Sequence, residues 1–186
     1  FATTYWKTRQ RRGISLLDAQ KLMRERNYFA AMMVNEGEAD ALVSGHSRSY
    51  PSVVKPMLQL IDKAPGVSIV ATTNMMMTGR GPMFLSDTAI NVNPSAEELA
   101  KIAIMTSNAA KMFGVEPVIA MVSYSNFGSS TNESASKVRE AVAYLHANYP
   151  DMIIDGELQA DFALNPEMLE KKFPFSKLAG KKVNTL

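Results

Sequence analysis

Residues 44–49 combine small, hydroxylated and charged side chains that could bind an anion. They read Ser-Gly-His-Ser-Arg-Ser and follow Ala41–Val43, an apolar stretch typical of a buried strand. Backbone N–H groups, hydroxyls and the Arg48 guanidinium are all donors, and Pro51 suits the first turn of a helix whose positive end would face the loop. Since loops of this composition also serve only as helix caps, a ligand site and a capping loop both remain open. His46 has no second His at ligand spacing, so we assign no metal site.

A second group of residues is cationic and lies near the amino end. These side chains could hold a phosphate-bearing ligand, or they could form a solvated helix end: Lys7, Arg9, Arg11 and Arg12. Aromatic residues are few among them, which argues against nucleic acid.

Three carboxylates near the carboxyl end form a third group. Asp155, Glu157 and Asp161 could bind Mg²⁺ or share a proton. We favour the simpler interpretation, in which they accept hydrogen bonds at a strand end or cap a helix. His146 falls in the middle of a predicted helix, and we expect it to be solvated.

Composition excludes several classes of protein. The chain has 186 residues, no Cys, and 20 Lys+Arg against 18 Asp+Glu, a net charge of +2. The absence of Cys rules out thiolate zinc sites, Fe–S clusters and cysteine nucleophiles in this stretch, and it favours a reducing, cytoplasmic compartment. The net charge is too small for nucleic-acid binding by the whole surface, and no apolar run is long enough for a membrane span. We therefore expect neither a nucleic-acid nor a membrane partner.

Strand-like and helix-like segments alternate along the chain. The strands are predicted at 41–43, 67–71 (with an extension to Met77 left open), 83–85, 118–122 and 152–154. The helices begin near Ser15, Asn27, Pro51, Asn93 and Ser134. Asn27 and Asn93 are predicted N-caps. This alternation predicts an α/β protein, a three-layer αβα arrangement with a largely parallel sheet.

Four ordered motifs resemble the phosphate acetyl/butyryltransferase family. They span nearly the whole chain: 37–45 (Gly-Glu-Ala-Asp-Ala-Leu-Val-Ser-Gly), 55–61 (Lys-Pro-Met-Leu-Gln-Leu-Ile), 87–100 (Asp-Thr-Ala-Ile-Asn-Val-Asn-Pro, then Glu97 and Leu99-Ala100) and 155–161 (Asp-Gly-Glu-Leu-Gln-Ala-Asp). The resemblance implies a two-lobed phosphotransacetylase-like fold, similar to the isocitrate/isopropylmalate dehydrogenase fold. Residues 1–65 would belong to the first lobe, and 66–186 to a second lobe that is truncated at its carboxyl end.

Two stretches resemble the malic-enzyme branch of that family. These are 46–51 (His-Ser-Arg-Ser-Tyr-Pro) and 72–87, which begins Thr-Thr-Asn-Met-Met-Met. The resemblance therefore implies a fragment of the acetyl-CoA-binding regulatory domain of a malic enzyme. The malate-oxidising domain of the same parent chain would be its partner, with NAD or NADP and Mg²⁺ or Mn²⁺ bound outside the fragment, and the protein would form homo-oligomers.

The resemblance also implies a set of residues that bind CoA or acetyl-CoA. These are Arg9, Ser44, Gly45, His46, Lys55 and Ser125. Lys55 stands where the family has Arg, and it keeps the charge without the planar two-pronged contact. The family's catalytic Ser-Arg pair and Asp belong to a downstream motif, so we expect no catalytic residue in this stretch.

Two alternatives remain beside the malic-enzyme interpretation. The first is a phosphate acetyl- or butyryltransferase that moves an acyl group between phosphate and CoA, which the four shared motifs favour. The second is an interaction domain that no longer binds a ligand, which the Lys55 replacement and the altered loop at 46–51 favour.

Overall fold

The structure is a computed structural model that describes residues 1–186. The chain divides into two compact units, Phe1–Val67 and Ser68–Leu186, and each is described by itself. The predicted lobe boundary between residues 65 and 66 belongs to the family fold and stays a prediction.

The first unit is helical. It contains α1 (Ala2–Arg9), a 3-10 turn (Gln10–Arg12), α2 (Leu16–Leu22), α3 (Arg26–Asn35) and α4 (Tyr50–Leu60). Ser15 and Asp18 form a reciprocal capping box that fixes the start of α2. Apolar residues at helical spacing build a small core of Tyr5, Ala19, Ala31, Met32 and Leu60.

Two predictions for this unit are wrong. Residues 41–43 form no strand, and Val43 is 97% exposed. An apolar triplet is too short to be stable as a strand without a partner, and this unit contains no other strand. Asn27 is not an N-cap either: Glu25 precedes α3, and Asn27 is buried inside the helix.

The second unit contains all the strands. Its elements are β1 (Thr73–Thr78), β2 (Gly81–Ser86), α5 (Ala96–Met112), β3 (Val118–Val122), α6 (Glu133–Asn148), β4 (Ile153–Leu158), α7 (Ala160–Ala163) and α8 (Pro166–Lys172). β1 is antiparallel to β2, and β3 is parallel to β4. Thr185 bridges both Phe84 and Ile119 in parallel, so the last residues of the chain run between β2 and β3.

The α/β class is confirmed, but the sheet is only partly parallel. Gly79 and Arg80 alone connect β1 to β2, and a two-residue connection allows only an antiparallel hairpin. The strand predicted at 67–71 is wrong for those residues, but its extension to Met77, which the sequence leaves open, falls within β1, since pairing begins at Thr73.

Two core clusters lie on opposite sides of the β3–β4 pair. One packs α5 and α6 against Ile119 and Ile154, and the other packs α7, α8 and Leu178 against Ala120 and Leu158. Successive strand residues alternate between the two faces, so neighbours in sequence enter different clusters. This arrangement makes the pair a middle layer between helices.

The amino end of α5 corrects another prediction. Its N-cap is Ser95 rather than Asn93: the Glu98 amide donates to the Ser95 hydroxyl, and the Ser95 amide donates to the Glu98 carboxylate. The helix begins after Ser95 rather than after Asn93 because the capping box gives partners to two amides that would otherwise be unpaired. No helix in the structure is both long and apolar enough to cross a membrane.

Candidate functional site

The β3–α6 loop, residues 123–132, lies at the carboxyl edge of the parallel pair. The same edge holds the carboxyl end of β4, since parallel strands end on one side of a sheet. The loop leads into α6, whose cap residue Asn132 accepts a hydrogen bond from the Ser134 amide. In α/β proteins this edge is where ligands bind, next to the positive end of a helix.

Glu157 is the centre of the hydrogen bonds that hold this loop. Its side chain is fully buried, and Oε1 accepts bonds from Ser125 Oγ at 2.8 Å, the Gly128 amide at 2.9 Å and Arg139 Nη1 at 2.7 Å. Burial raises the pKa of this carboxyl, but the donors from Gly128, Ser125 and Arg139 together outweigh burial and hold the pKa below its usual value. Glu157 is therefore ionised at neutral pH.

Ser125, which we predicted to bind the ligand, is itself part of this network. It is buried, donates to Glu157 and accepts from the Ser130 amide at 3.1 Å. Gly128 and Ser129 of the same loop are more exposed. The direct ligand contact of Ser125 stays a prediction.

The other carboxylates are strand or surface residues. Asp155 is buried and accepts bonds from the hydroxyl of Ser176 and the amides of Lys177 and Gly156, as the hydrogen-bonded interpretation predicts. Asp161 is exposed in the first turn of α7. No group of three or more His, Asp or Glu side chains in the chain is arranged to hold a metal ion.

Sequence reasoning missed two residues of this region. Arg139 lies 18 residues before Glu157, on a different element. No local sequence pattern predicts an ion pair between two such residues. His146 is not simply solvated, as predicted: its Nε2 lies 2.8 Å from the Ile154 carbonyl oxygen, because α6 packs along β4.

In the first unit, the 44–49 loop is exposed and loosely held. Ser44 Oγ donates to the buried Asn27 Oδ1 at 2.7 Å, and Asn27 Nδ2 donates to the Ser52 carbonyl at 3.2 Å. Gly45 and His46 have φ values of 130° and 57°, a left-handed backbone that turns the chain toward α4.

Lys55 and Arg48 line one cavity of about 250 Å³ in this unit. Tyr28 also lines it, and its hydroxyl donates to Gln59 Oε1 at 3.1 Å. Arg9 is not among the residues lining this cavity: its Nη2 donates to the Gln59 carbonyl at 2.8 Å. The structure thus brings Lys55 and Arg48 together, whereas Ser125 belongs to the other unit.

Comparison with known proteins identifies relatives over nearly the whole chain. The family model described as phosphate acetyl/butaryl transferase matches residues 1–183. The phosphate acetyltransferase of Thermoanaerobacterium thermosaccharolyticum is 41% identical over 97% of this chain and 57% of its own length. That of Treponema pallidum is 41% identical over 100% of this chain and 58% of its own. The chain thus spans somewhat over half the length of these relatives.

A solved structure agrees with these sequence matches. The phosphotransacetylase from Streptococcus pyogenes is 38% identical and superimposes with a TM-score of 0.83 over 99% of this chain and 56% of its own.

These relatives overturn the malic-enzyme interpretation. A malate-oxidising partner domain, NAD or NADP, and Mg²⁺ or Mn²⁺ are no longer supported, since the matching proteins are phosphate acetyltransferases. The two stretches that suggested the malic-enzyme branch lie in the exposed 44–49 loop and in the β1–β2 hairpin. The chain belongs to the phosphate acetyl/butyryltransferase family.

Proposed function

We propose that the protein containing this chain is a phosphate acetyltransferase, which moves an acetyl group between inorganic phosphate and CoA. The observation that carries this proposal is the 41% identity to proteins of that name over 97% or more of the chain. The acetyl group is preferred to butyryl because these relatives are named for acetyl transfer.

The reaction sets the demands on the site. The CoA thiol loses its proton, and its sulfur attacks the carbonyl carbon of acetyl phosphate. The carbon–oxygen bond to phosphate breaks, and phosphate leaves with the electron pair and takes up a proton. Both substrates are anionic, so cations and backbone amides must offset their charge. The predicted CoA-binding set supplies such groups: Arg9, Ser44, Gly45, His46, Lys55 and Ser125. The shared cavity of Lys55 and Arg48 supports a role for Lys55. No catalytic residue is assigned within this stretch.

The organisation of the whole protein is also a proposal. Residues 1–65 would form part of the first lobe of a two-lobed fold and residues 66–186 the second, and the protein would self-associate. CoA and acetyl phosphate would be its substrates.

The proposal is tested by measuring whether the full-length protein forms acetyl-CoA from acetyl phosphate and CoA. The absorbance of the thioester reports the product. Butyryl phosphate in place of acetyl phosphate should react more slowly. Absence of turnover at saturating substrate would refute the proposal. If CoA also failed to shift the melting temperature, the interaction-domain alternative would replace it.

A substitution pair tests the CoA-binding residues. Lys55→Ala should raise KM for CoA by roughly ten- to a hundredfold, because a charged hydrogen bond to phosphate contributes roughly 1.5–3 kcal/mol. Lys21→Ala removes another exposed lysine, on α2, and should leave KM unchanged. Equal KM values for wild type and Lys55→Ala would remove Lys55 from the CoA site.

A further inference from the structure

A cavity of about 360 Å³ lies at the amino edge of the parallel strands in the second unit. Gly81, the first residue of β2, lines this cavity. Asn184 lines it too, and its Oδ1 accepts a hydrogen bond from the amide of Val118, the first residue of β3. The β3–α6 loop lies at the other edge of the same strands. None of the residues predicted to bind CoA lines this cavity.

Two cations line the cavity, and no carboxylate does. They are Arg80, in the turn between β1 and β2, and Lys182, close to Leu186. Neither forms an ion pair within the chain. A carboxylate oxygen of Glu170 lies near Gly180, which lines the cavity, but Glu170 itself does not line it. Like charges at one cavity repel each other, and a bound anion offsets that repulsion.

Backbone carbonyl groups hold both cationic side chains in place. Arg80 Nη1 donates to the Leu164 carbonyl at 3.4 Å, and Lys182 Nζ donates to the Arg80 carbonyl at 2.8 Å. A carbonyl oxygen positions a cation without neutralising its charge. The other side-chain N–H groups of Arg80 and Lys182 have no partner in the protein, so they are available to an anion.

The rest of the cavity wall is mainly apolar. It includes the side chains of Pro82, Met83, Leu164, Pro166 and Val183. An organic phosphate would remove part of this wall from water, whereas inorganic phosphate would leave it hydrated. The cavity volume also falls in the range of about 300–1,000 Å³ that is usual for small-molecule sites. The wall therefore favours an anion that carries an apolar group.

We propose that this cavity is a binding site for a small organic phosphate. The phosphate oxygens contact the Arg80 guanidinium and the Lys182 ammonium, and the organic part contacts Met83 and Val183. A planar guanidinium donates to two oxygens at once, and an ammonium donates to a third. This inference concerns binding alone and does not depend on the proposed acetyl transfer.

Methyl NMR of the full-length protein tests this site directly. The methionine methyl groups are isotope-labelled, Met83→Leu identifies the Met83 signal, and n-butyl phosphate is the probe. Because Met83 lines the cavity, its signal should shift saturably as the probe is added to the wild type. Lys182→Gln should weaken this binding by roughly ten- to a hundredfold, since it removes a charged hydrogen bond to phosphate. Lys181→Gln, the matched control, removes an exposed neighbouring lysine that does not line the cavity, and it should leave the affinity unchanged.

Three outcomes decide the inference. Equal affinities of the Lys181→Gln and Lys182→Gln variants, or a Met83 signal that does not move, would overturn it. A comparable shift with n-butanol would also overturn it, because the cavity would then bind the apolar group without phosphate. Arg80→Gln should weaken binding as Lys182→Gln does, and it decides the result if Lys182→Gln fails to fold. Since the assay requires no turnover, an inactive protein that still binds n-butyl phosphate in this way would refute the proposed function and support this inference.

Discussion

Two loops of this chain have similar composition, but the side-chain hydrogen bonds that hold them differ greatly. The 44–49 loop and the β3–α6 loop are both rich in serine and both contain glycine, and each precedes a helix. The first is exposed and has two side-chain bonds, from Ser44 to Asn27 and from Ser52 to the Ser49 carbonyl. The second is bonded to a buried carboxylate, to Gln159 and to Arg139. Composition identifies a loop that could bind an anion, but the layer beneath it decides whether that loop is rigid.

Replacing one glycine in or beside each loop by alanine gives the largest expected difference in stability between the two regions. A Cβ at Gly156, beside Glu157, would overlap the Met121 carbonyl oxygen and lie 2.9 Å from Met121 Cβ, at φ of 148°. Gly156→Ala should lose more than roughly 4 kcal/mol of stability, from strain and overpacking together. Gly45→Ala, with no atom within 4 Å, should lose about 1–3 kcal/mol from strain alone. Urea unfolding of both variants would measure the gap, and equal losses would contradict the rigid packing of β4.

The second largest expected effect on stability comes from the ionised Glu157 carboxylate, and this effect depends on pH. Because the folded pKa lies below the ordinary value of 4.5, the carboxylate contributes stability above about 4.5, and this is lost as pH falls through the folded pKa. Glu157→Gln should cost about 1–3 kcal/mol at neutral pH, and the difference from wild type should shrink as pH falls below 4.5.

The exposed Glu140→Gln on α6 is the control for this pH effect. Its unfolding curve should follow that of the wild type at every pH. A Glu157→Gln difference that stayed constant down to the acid limit would show that the carboxylate is not stabilised in its ionised form.

Removing the bond between Ser44 and Asn27 from the first loop should have a smaller effect on stability. Asn27→Ala loses the bonds to Ser44 and Ser52, and we expect a loss of about 1–2 kcal/mol together with faster hydrogen exchange at 44–49. Asn35→Ala, at the exposed end of α3, should stay within about 0.5 kcal/mol of wild type. Exchange at the β3–α6 loop should not change, and a change there would contradict the separate support of the two loops.

The smallest expected change in stability is at the amino end of α5. There one side chain caps the helix by a hydrogen bond and another is only close in sequence. Ser95→Ala removes the capping oxygen and should cost about 1 kcal/mol. Asn93→Ala, at the position that the sequence pattern favoured, should cost less than about 0.5 kcal/mol. Thermal unfolding compares the two, and the reverse order would show that Asn93 supports this helix more than Ser95.

Much of the fold and part of the site could be predicted from sequence. The periodicity of apolar residues predicted α2, α5 and α6, since a helix that packs on a core must repeat with its own period. The ordered motifs predicted the family, which the matching relatives confirm. The branch within the family was predicted wrongly, because it was inferred from two stretches alone, whereas the relatives match nearly the whole chain.

What the sequence by itself determined is local: helices with their own apolar stripes, turns with glycine, and charged residues in runs. Only the tertiary structure decided that 41–43 forms no strand and that Arg139 meets Glu157. A strand exists only when another chain segment supplies its hydrogen bonds, and a buried carboxylate is ionised only when distant donors surround it. Both conditions join residues far apart in the chain, and for that reason no local pattern contains them.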